Sequence, residues 1–313
     1  MGLNEGATGT ASCVGIAVRS GHAEADAAAA LLSRLLAGRG VKGIPYDEVT
    51  RGAVCDFVMV LGGDGTLLQV ANQMAPRRIP VIGVNFGRVG YLCEVDADRL
   101  SEAVDRLVCG NFQVEARTMV RATVRRKERP MKVMDALNEI LIGGATRTLT
   151  LHVAINGVDL GQIRGDGLIV ATRTGSTAYS FSAGGSILLL DGFVLVASNA
   201  VLATSIRSLI LPTDSMISVT DQSWSTTPYV TADGQRDYRI RKGDVVEITR
   251  SPLHAYMVTL GLSSQVRKLG QGFGLRRSGA ENPSGPDRPA DESGAGLPVR
   301  YRADEISCEI SSG

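Results

Sequence analysis

Along this chain of 313 residues the rhythm of apolar and polar positions changes twice. In the first third, short apolar runs alternate with longer alanine-rich or amphipathic stretches. Cys13 to Val18 has the length of a buried strand, and Ala23 to Leu36, rich in alanine and leucine, has helical character. The run Phe57-Val58-Met59-Val60-Leu61 predicts another buried strand, closed by a glycine-rich turn and followed by a helix from Thr66. A further strand is expected at Val81 to Val84, and a helix over about Asp98 to Cys109. Such alternation predicts a parallel, doubly wound sheet, and sheets of that kind bind ligands at the carboxyl ends of their strands.

From about Asn111 the period becomes two. Met119 to Arg125 alternates, and so does Leu149 to Ile155, which ends in the hairpin pair Asn156-Gly157. Short strands are expected near Ile217 to Val219, Tyr229 to Ala232 and Val245 to Ile248. No internal repeat is visible. From about Gly274 to Gly296 almost nothing remains to bury, and that composition predicts a disordered tail. The expected organisation is therefore an α/β domain over 12–110, a β-rich, sandwich-like domain over 111–262, and a largely disordered segment over 263–313.

Composition narrows the function. A mass of 33.0 kDa suits two domains with their own cores. A net charge of +1 gives no electrostatic argument for nucleic acid or a membrane surface. Five cysteines without a CxxC pair suggest free thiols in a reducing compartment and supply no zinc site. The first residues lack a basic segment and an apolar core, and the apolar stretch Phe193 to Leu202 is broken by Ser198 and Asn199. The expected location is the cytoplasm.

Two glycine- and hydroxyl-rich segments carry candidate chemistry: Val60 to Leu68 (VLGGDGTLL) and Gly165 to Gly185 (GDGLIVATRTGSTAYSFSAGG). In the first, Gly62, Gly63, Gly65 and Thr66 suit a phosphate cradle at a helix start, where backbone N–H groups and the helix dipole favour an anion. Asp64 is the exception, because a carboxylate repels phosphate. Its presence points to a base for a hydroxyl, a metal contact, or both. In the second segment the bulky side chains between Thr172 and Gly185 are Arg173, Tyr179 and Phe181. Thr174, Ser176, Thr177 and Ser182 offer hydroxyls to phosphate or ribose, Gly175 and Ala178 leave room for a base or sugar, and Tyr179 offers a stacking ring. Close helix packing is the alternative use of such small residues. Asn138-Glu139 interrupts an apolar strand expected from Ala136 to Ile142, where an unpaired buried polar group costs about 1–3 kcal/mol. Asp166 and Asp233 each precede a glycine, so each also reads as a simple turn residue.

Taken in order, GGDGT, GVNFGRVGYL (Gly83 to Leu92), ALNE, RGDGLIVATRTGSTAYSFSAGG and ADGQ resemble the NAD kinase family, over roughly Cys13 to Leu262. The GGDGT loop alone is shared with lipid kinases and phosphofructokinases; joined to GSTAYSFSAGG it is highly specific. The resemblance implies ATP-dependent phosphorylation of the adenosine-ribose 2′-hydroxyl of NAD. By position, Asp64 would activate that hydroxyl, and Gly62, Gly63, Gly65 and Thr66 would cradle donor phosphates. Asn138 and Glu139 would bind ribose hydroxyls and the adenine side, and Asp166, with Arg164 nearby, the nicotinamide end. Thr174, Thr177, Ala178, Tyr179 and Ser182 would line the adenine and ribose pocket, and Asp233 would approach ribose or pyrophosphate.

The phosphate loop holds no lysine or arginine, so Mg²⁺ or Mn²⁺, held chiefly by ATP rather than by protein ligands, would neutralise the donor. The resemblance further implies ATP, or polyphosphate in its place, as donor and a pocket completed across a homodimer or homotetramer. Arg173 and Ser186 replace usual prolines of the family, and Ala197 to Leu202 reads ASNAVL. These departures fall on the loop around Thr174 and on nearby subunit contacts, and they motivate an alternative: a catalytically weak relative that only binds NAD or NADP.

Overall fold

The computed structural model describes residues 11–19, 21, 23–86, 90–144, 148–201, 206–223 and 228–261. The expected tail, part of the GVNFGRVGYL segment and Leu202 lie outside the described residues. The first region runs β1 (Cys13–Val18), α1 (Ala23–Ala37), β2 (Lys42–Pro45), α2 (Tyr46–Thr50), β3 (Phe57–Gly62), α3 (Asp64–Met74), β4 (Val81–Asn85), β5 (Val95–Asp96) and α4 (Leu100–Val108). Helix α1 forms because a 15-residue alanine- and leucine-rich stretch has high intrinsic propensity. It buries Ala25, Ala28, Leu32 and Leu36, a single stripe at helical spacing.

Strands β2, β1, β3 and β4 lie side by side in that order, all parallel. Every residue of β3 is buried, as expected for the centre of a sheet covered on both faces. The order reverses between β1 and β3, so the carboxyl end of β3 opens on a crevice where such sheets receive ligands. That end is Gly62, and α3 begins two residues later.

The second region comprises β6 (Gln113–Arg126), β7 (Arg129–Ala136), β8 (Glu139–Gly143), β9 (Leu149–Ile155), β10 (Val158–Gly165), β11 (Gly167–Thr172), α5 (Tyr179–Ser182), β12 (Phe193–Ser198), β13 (Ser208–Leu211), β14 (Ile217–Asp221), β15 (Tyr229–Ala232), β16 (Arg236–Arg239) and β17 (Asp244–Thr259). Asn156 and Gly157 take φ of 51° and 79° and join β9 to β10 in the tight turn expected of that pair. One sheet in the order β13-β12-β11-β8-β15-β16 packs against β6, β9, β14 and β17. Ile140, Ile142, Leu168, Val170, Phe193, Leu195 and Val230 face Val120, Val124, Leu151, Val153, Val219 and Ile248 across the shared core.

The two regions are not separate sheets. Strand β17 pairs with β6 over nearly its whole length, and near its end Met257 sits parallel to Val81 of β4. The parallel sheet and one layer of the sandwich are thus continuous, which holds the carboxyl end of β3 against the second layer. No helix among the described residues is long and apolar enough to cross a membrane.

Candidate active site

The site is assembled where three chain breaks meet. The first is the start of α3. Gly63 is its N-cap and offers no capping side chain; the Thr66 N–H bonds the Gly63 carbonyl at 3.1 Å, which leaves the Asp64 and Gly65 N–H groups to a ligand. Packing also requires glycine at 62, because a Cβ there would sit 2.9 Å from Thr66 Oγ1. Gly63 and Gly65 differ: a Cβ on either would meet open space.

Asp64 is held by the chain that follows β4. The Tyr91 N–H donates to its Oδ2 at 2.7 Å, and the Leu92 and Cys93 N–H groups donate to Oδ1 at 3.1 Å each. A carboxylate has about four acceptor positions, so this clasp orients the group and leaves Oδ2 able to take a further hydroxyl. Sequence reading placed GVNFGRVGYL within the family pattern without giving Tyr91, Leu92 or Cys93 this role; backbone donors carry no side-chain signature.

The second break is Leu137-Asn138. The expected continuous strand from Ala136 to Ile142 is not there: β7 ends at Ala136 in one sheet and β8 begins at Glu139 in the other. Polar partners make this crossing possible. Asp233 accepts the Leu137, Asn138 and Glu139 N–H groups at 2.9, 2.8 and 3.0 Å, while Thr172 takes the Leu137 carbonyl through its hydroxyl and the Asn138 carbonyl through its N–H. Asn138 Oδ1 and Glu139 Oε2 are buried without a hydrogen-bond partner. Burial, reinforced by the nearby charge of Asp233, pushes the Glu139 carboxyl up to about 8. Asp233 is itself raised by burial.

The third break follows β11. Gly175 to Thr177 forms a single 3₁₀ turn and α5 a single α-turn, in place of any longer helix. Ser176 donates to the Arg173 carbonyl and accepts the Leu188 N–H, so it serves the loop itself. Arg173, the departure from proline, reaches Glu115 of β6 at 3.2 Å and ties the loop to the neighbouring sheet.

A cavity of about 230 Å³ lies among these breaks, lined by Asp64, Gly65, Leu68, Tyr91, Leu92, Asn138, Thr174, Thr177 and Ala178. Six sequence candidates therefore converge on it: Asp64, Gly65, Asn138, Thr174, Thr177 and Ala178. Gly62, Gly63 and Thr66 flank the start of α3, and Glu139 follows Asn138. Tyr179, 47% exposed, and Ser182 lie outside the lining. Asp233 also stays out of it, because both its oxygens are turned onto N–H donors. Asp233-Gly234 forms the simple turn that the sequence also allows, with φ of 54° at Asp233 and 62° at Gly234.

Arg164 and Asp166 stand elsewhere. Ala171 of β11 pairs with Glu139, whereas Gly167 pairs with Gly143, so Asp166 is at the opposite end of the strand, about 20 Å from Thr172. It is exposed and accepts a hydrogen bond from Asn199 Nδ2 at 2.7 Å. Asp166-Gly167 is not a hairpin turn either, since β10 and β11 belong to different sheets.

Against this geometry, the family model of the ATP-NAD kinase N-terminal domain matches residues 47–112, and that of the ATP-NAD kinase C-terminal domain matches residues 137–260. An NAD kinase of Nitratidesulfovibrio vulgaris is 35% identical over 264 residues, 81% of this chain and 93% of its own. The chain belongs to the NAD kinase family. Like its relatives it is a phosphotransferase that phosphorylates NAD to NADP with ATP. Among solved structures, a yeast NADH kinase complexed with NADH shares the fold, with a TM-score of 0.76 at 22% identity over 88% of this chain and 91% of that one. An NAD kinase from Archaeoglobus fulgidus in complex with ATP gives 0.65 at 25% identity over 84% and 97%. The inert-relative alternative is not favoured: Arg173 leaves Asp64, its N–H clasp and the cavity in place.

Proposed function

We propose that the kinase transfers the terminal phosphoryl group of ATP to the 2′-hydroxyl of the adenosine ribose of NAD, with Asp64 as the group that takes up the hydroxyl proton. The carrying observation is Asp64 at the start of α3, clasped by three N–H groups and facing the same cavity as Asn138 and Thr174. The hydroxyl would donate to Oδ2, its oxygen would attack phosphorus as the bond to ADP breaks, and the proton would pass to the carboxylate. The α3 N-terminus would steady the phosphoryl oxygens through backbone N–H groups. Ribose hydroxyls are natural hydrogen-bond partners for the two orphaned oxygens, Asn138 Oδ1 and Glu139 Oε2. Thr174, Thr177 and Ala178 would border the adenosine, with Tyr179 and Ser182 closing over it from outside.

Among the described residues no group of three or more His, Cys, Asp or Glu could hold a metal ion. On this reading Mg²⁺ or Mn²⁺ would arrive on the ATP phosphates, and no step here runs through a metal held by protein ligands. The exposed Arg164, Asp166 and Asn199 would complete the nicotinamide end of the pocket in a second copy, as a homodimer or homotetramer. The exposed apolar residues Val201 and Ile206 near them support such a contact. Cytoplasmic residence, and domain limits near 110 and 262, belong to the same reading.

Purified protein with NAD, ATP and Mg²⁺, scored by an NADP-specific dehydrogenase, tests the proposal, with polyphosphate as a second donor arm. Asp64→Asn should abolish NADP formation while NAD still binds by calorimetry. Near-normal turnover in that variant would remove Asp64 from the role.

A further inference from the structure

Asp233 is 7% exposed, and its four hydrogen-bond partners come from two different parts of the site. Its Oδ1 accepts the Asn138 and Glu139 N–H groups, and its Oδ2 accepts the Leu137 N–H at 2.9 Å and Asn72 Nδ2 at 2.6 Å. Four donors fill the acceptor capacity of a carboxylate, so none remains for a ligand hydroxyl. Three of them belong to the β7–β8 junction that presents Asn138 and Glu139. The fourth belongs to α3.

Asn72 lies eight residues beyond Asp64, a little over two turns and about 12 Å along the same helix. Its amide also donates to the Leu68 carbonyl at 3.0 Å, so the side chain is anchored on its own helix while it reaches Asp233. The last residue of the same turn, Gln235, touches the other end of α3, with Nε2 donating to the Gly65 carbonyl at 3.4 Å. The β15–β16 turn thus brackets α3 from Gly65 to Asn72 and grips the junction at the same time.

We propose that Asp233, acting with Asn72, is a positioning residue that fixes the spacing between Asp64 and the Asn138-Glu139 pair. The inference rests on the roles given above to Asp64 and that pair. It assigns Asp233 no contact with NAD. The turn by itself does not explain an aspartate here, because asparagine tolerates the same left-handed backbone. What asparagine lacks is a second acceptor: its amide would turn an N–H₂ toward two of the four donors.

The test uses the full-length protein and measures kcat and the NAD Kd separately, below the melting temperature. Asn72→Ala, which leaves the three junction bonds intact, should lower kcat between about tenfold and a hundredfold. The NAD Kd and the KM for ATP should stay within about threefold of wild type. Asn72→Asp supplies a second readout that packing alone would not move. Two adjoining carboxylates repel when both are ionised and can share a proton when one is not. Glu139 is a further titratable group whose charge couples to Asp233. The kcat of Asn72→Asp relative to wild type should therefore rise as pH is lowered. A wild-type kcat in Asn72→Ala, or a flat relative pH profile in Asn72→Asp, would overturn the proposal. Assaying Asp64→Asn alongside separates the two claims. An active Asp64→Asn sinks the reading of Asp64; a normal Asn72→Ala beside an inactive Asp64→Asn sinks the clamp alone.

Discussion

Gly175→Ala is the most demanding test of how closely the turn after β11 packs against the β7–β8 junction. The added Cβ would fall on the Asn138 backbone, against its carbonyl carbon and oxygen and 2.6 Å from its Cα. Ordinary contact begins near 3.4 Å, so backbone must move by about 0.8 Å or more. Neither side is free to give. Asn138 is held by Asp233 through its N–H and by Thr172 through its carbonyl, and the Gly175 N–H is itself bonded to Thr172 Oγ1 at 3.2 Å. Overpacking of a core typically costs about 1–3 kcal/mol, and the anchored backbone on both sides puts this case near the upper end.

For a chain of this size, about 3 kcal/mol lowers Tm by roughly 6–12 °C. A displacement approaching 1 Å at Asn138 should also cost up to about a hundredfold in kcat/KM for NAD. Thermal unfolding followed by circular dichroism, with the NADP-coupled rate at a temperature where the variant is folded, checks both numbers. Gly65→Ala is the contrast: its Cβ meets open space, so Tm should hold or rise while turnover falls because the methyl group occupies the cavity. A Gly175→Ala protein melting within about 1 °C of wild type, with unchanged kcat/KM, would refute the packing argument.

Glu139→Gln should change how stability depends on pH. The buried carboxyl is raised to about 8 in the folded protein, above its ordinary range, so its contribution is full at low pH and is lost as pH rises toward that value. Glutamine does not titrate, so the Tm of the variant relative to wild type should improve between about pH 5 and pH 8; a constant difference would show that Glu139 is not held protonated. Mixing addresses the shared pocket. If Asp166 serves a second copy, the inactive variants Asp64→Asn and Asp166→Asn should regain activity on co-refolding, approaching about a quarter of wild type for a dimer. No recovery in mixed oligomers would place Asp166 in its own chain's site or in none.

Much of the fold was legible because periodicity is local. The parallel strands β1, β3 and β4, the helices α1 and α4, and the Asn156-Gly157 turn all fall where the pattern of apolar residues and turn chemistry puts them. The glycine-rich turn before α3 was legible for the same reason: a strand, three glycines and a helix start are contiguous in sequence. Asn138-Glu139 stands out of place in the sequence yet reads as a strand interior, because the partners that let the chain change sheets lie at Thr172 and Asp233, far away in sequence.

Residue types and their order therefore determined the class of the fold, the family and the identity of the acid in the glycine loop. Tertiary structure alone decided what each polar group meets. It turned Asp233 inward as a structural acceptor and clasped Asp64 with the N–H groups of Tyr91, Leu92 and Cys93. It also set Asp166 at the far end of β11. The physical reason is that backbone donors are common to every residue, and hydrogen bonds between distant segments leave no local pattern. Which of them a carboxylate finds depends on the packing of the whole sheet.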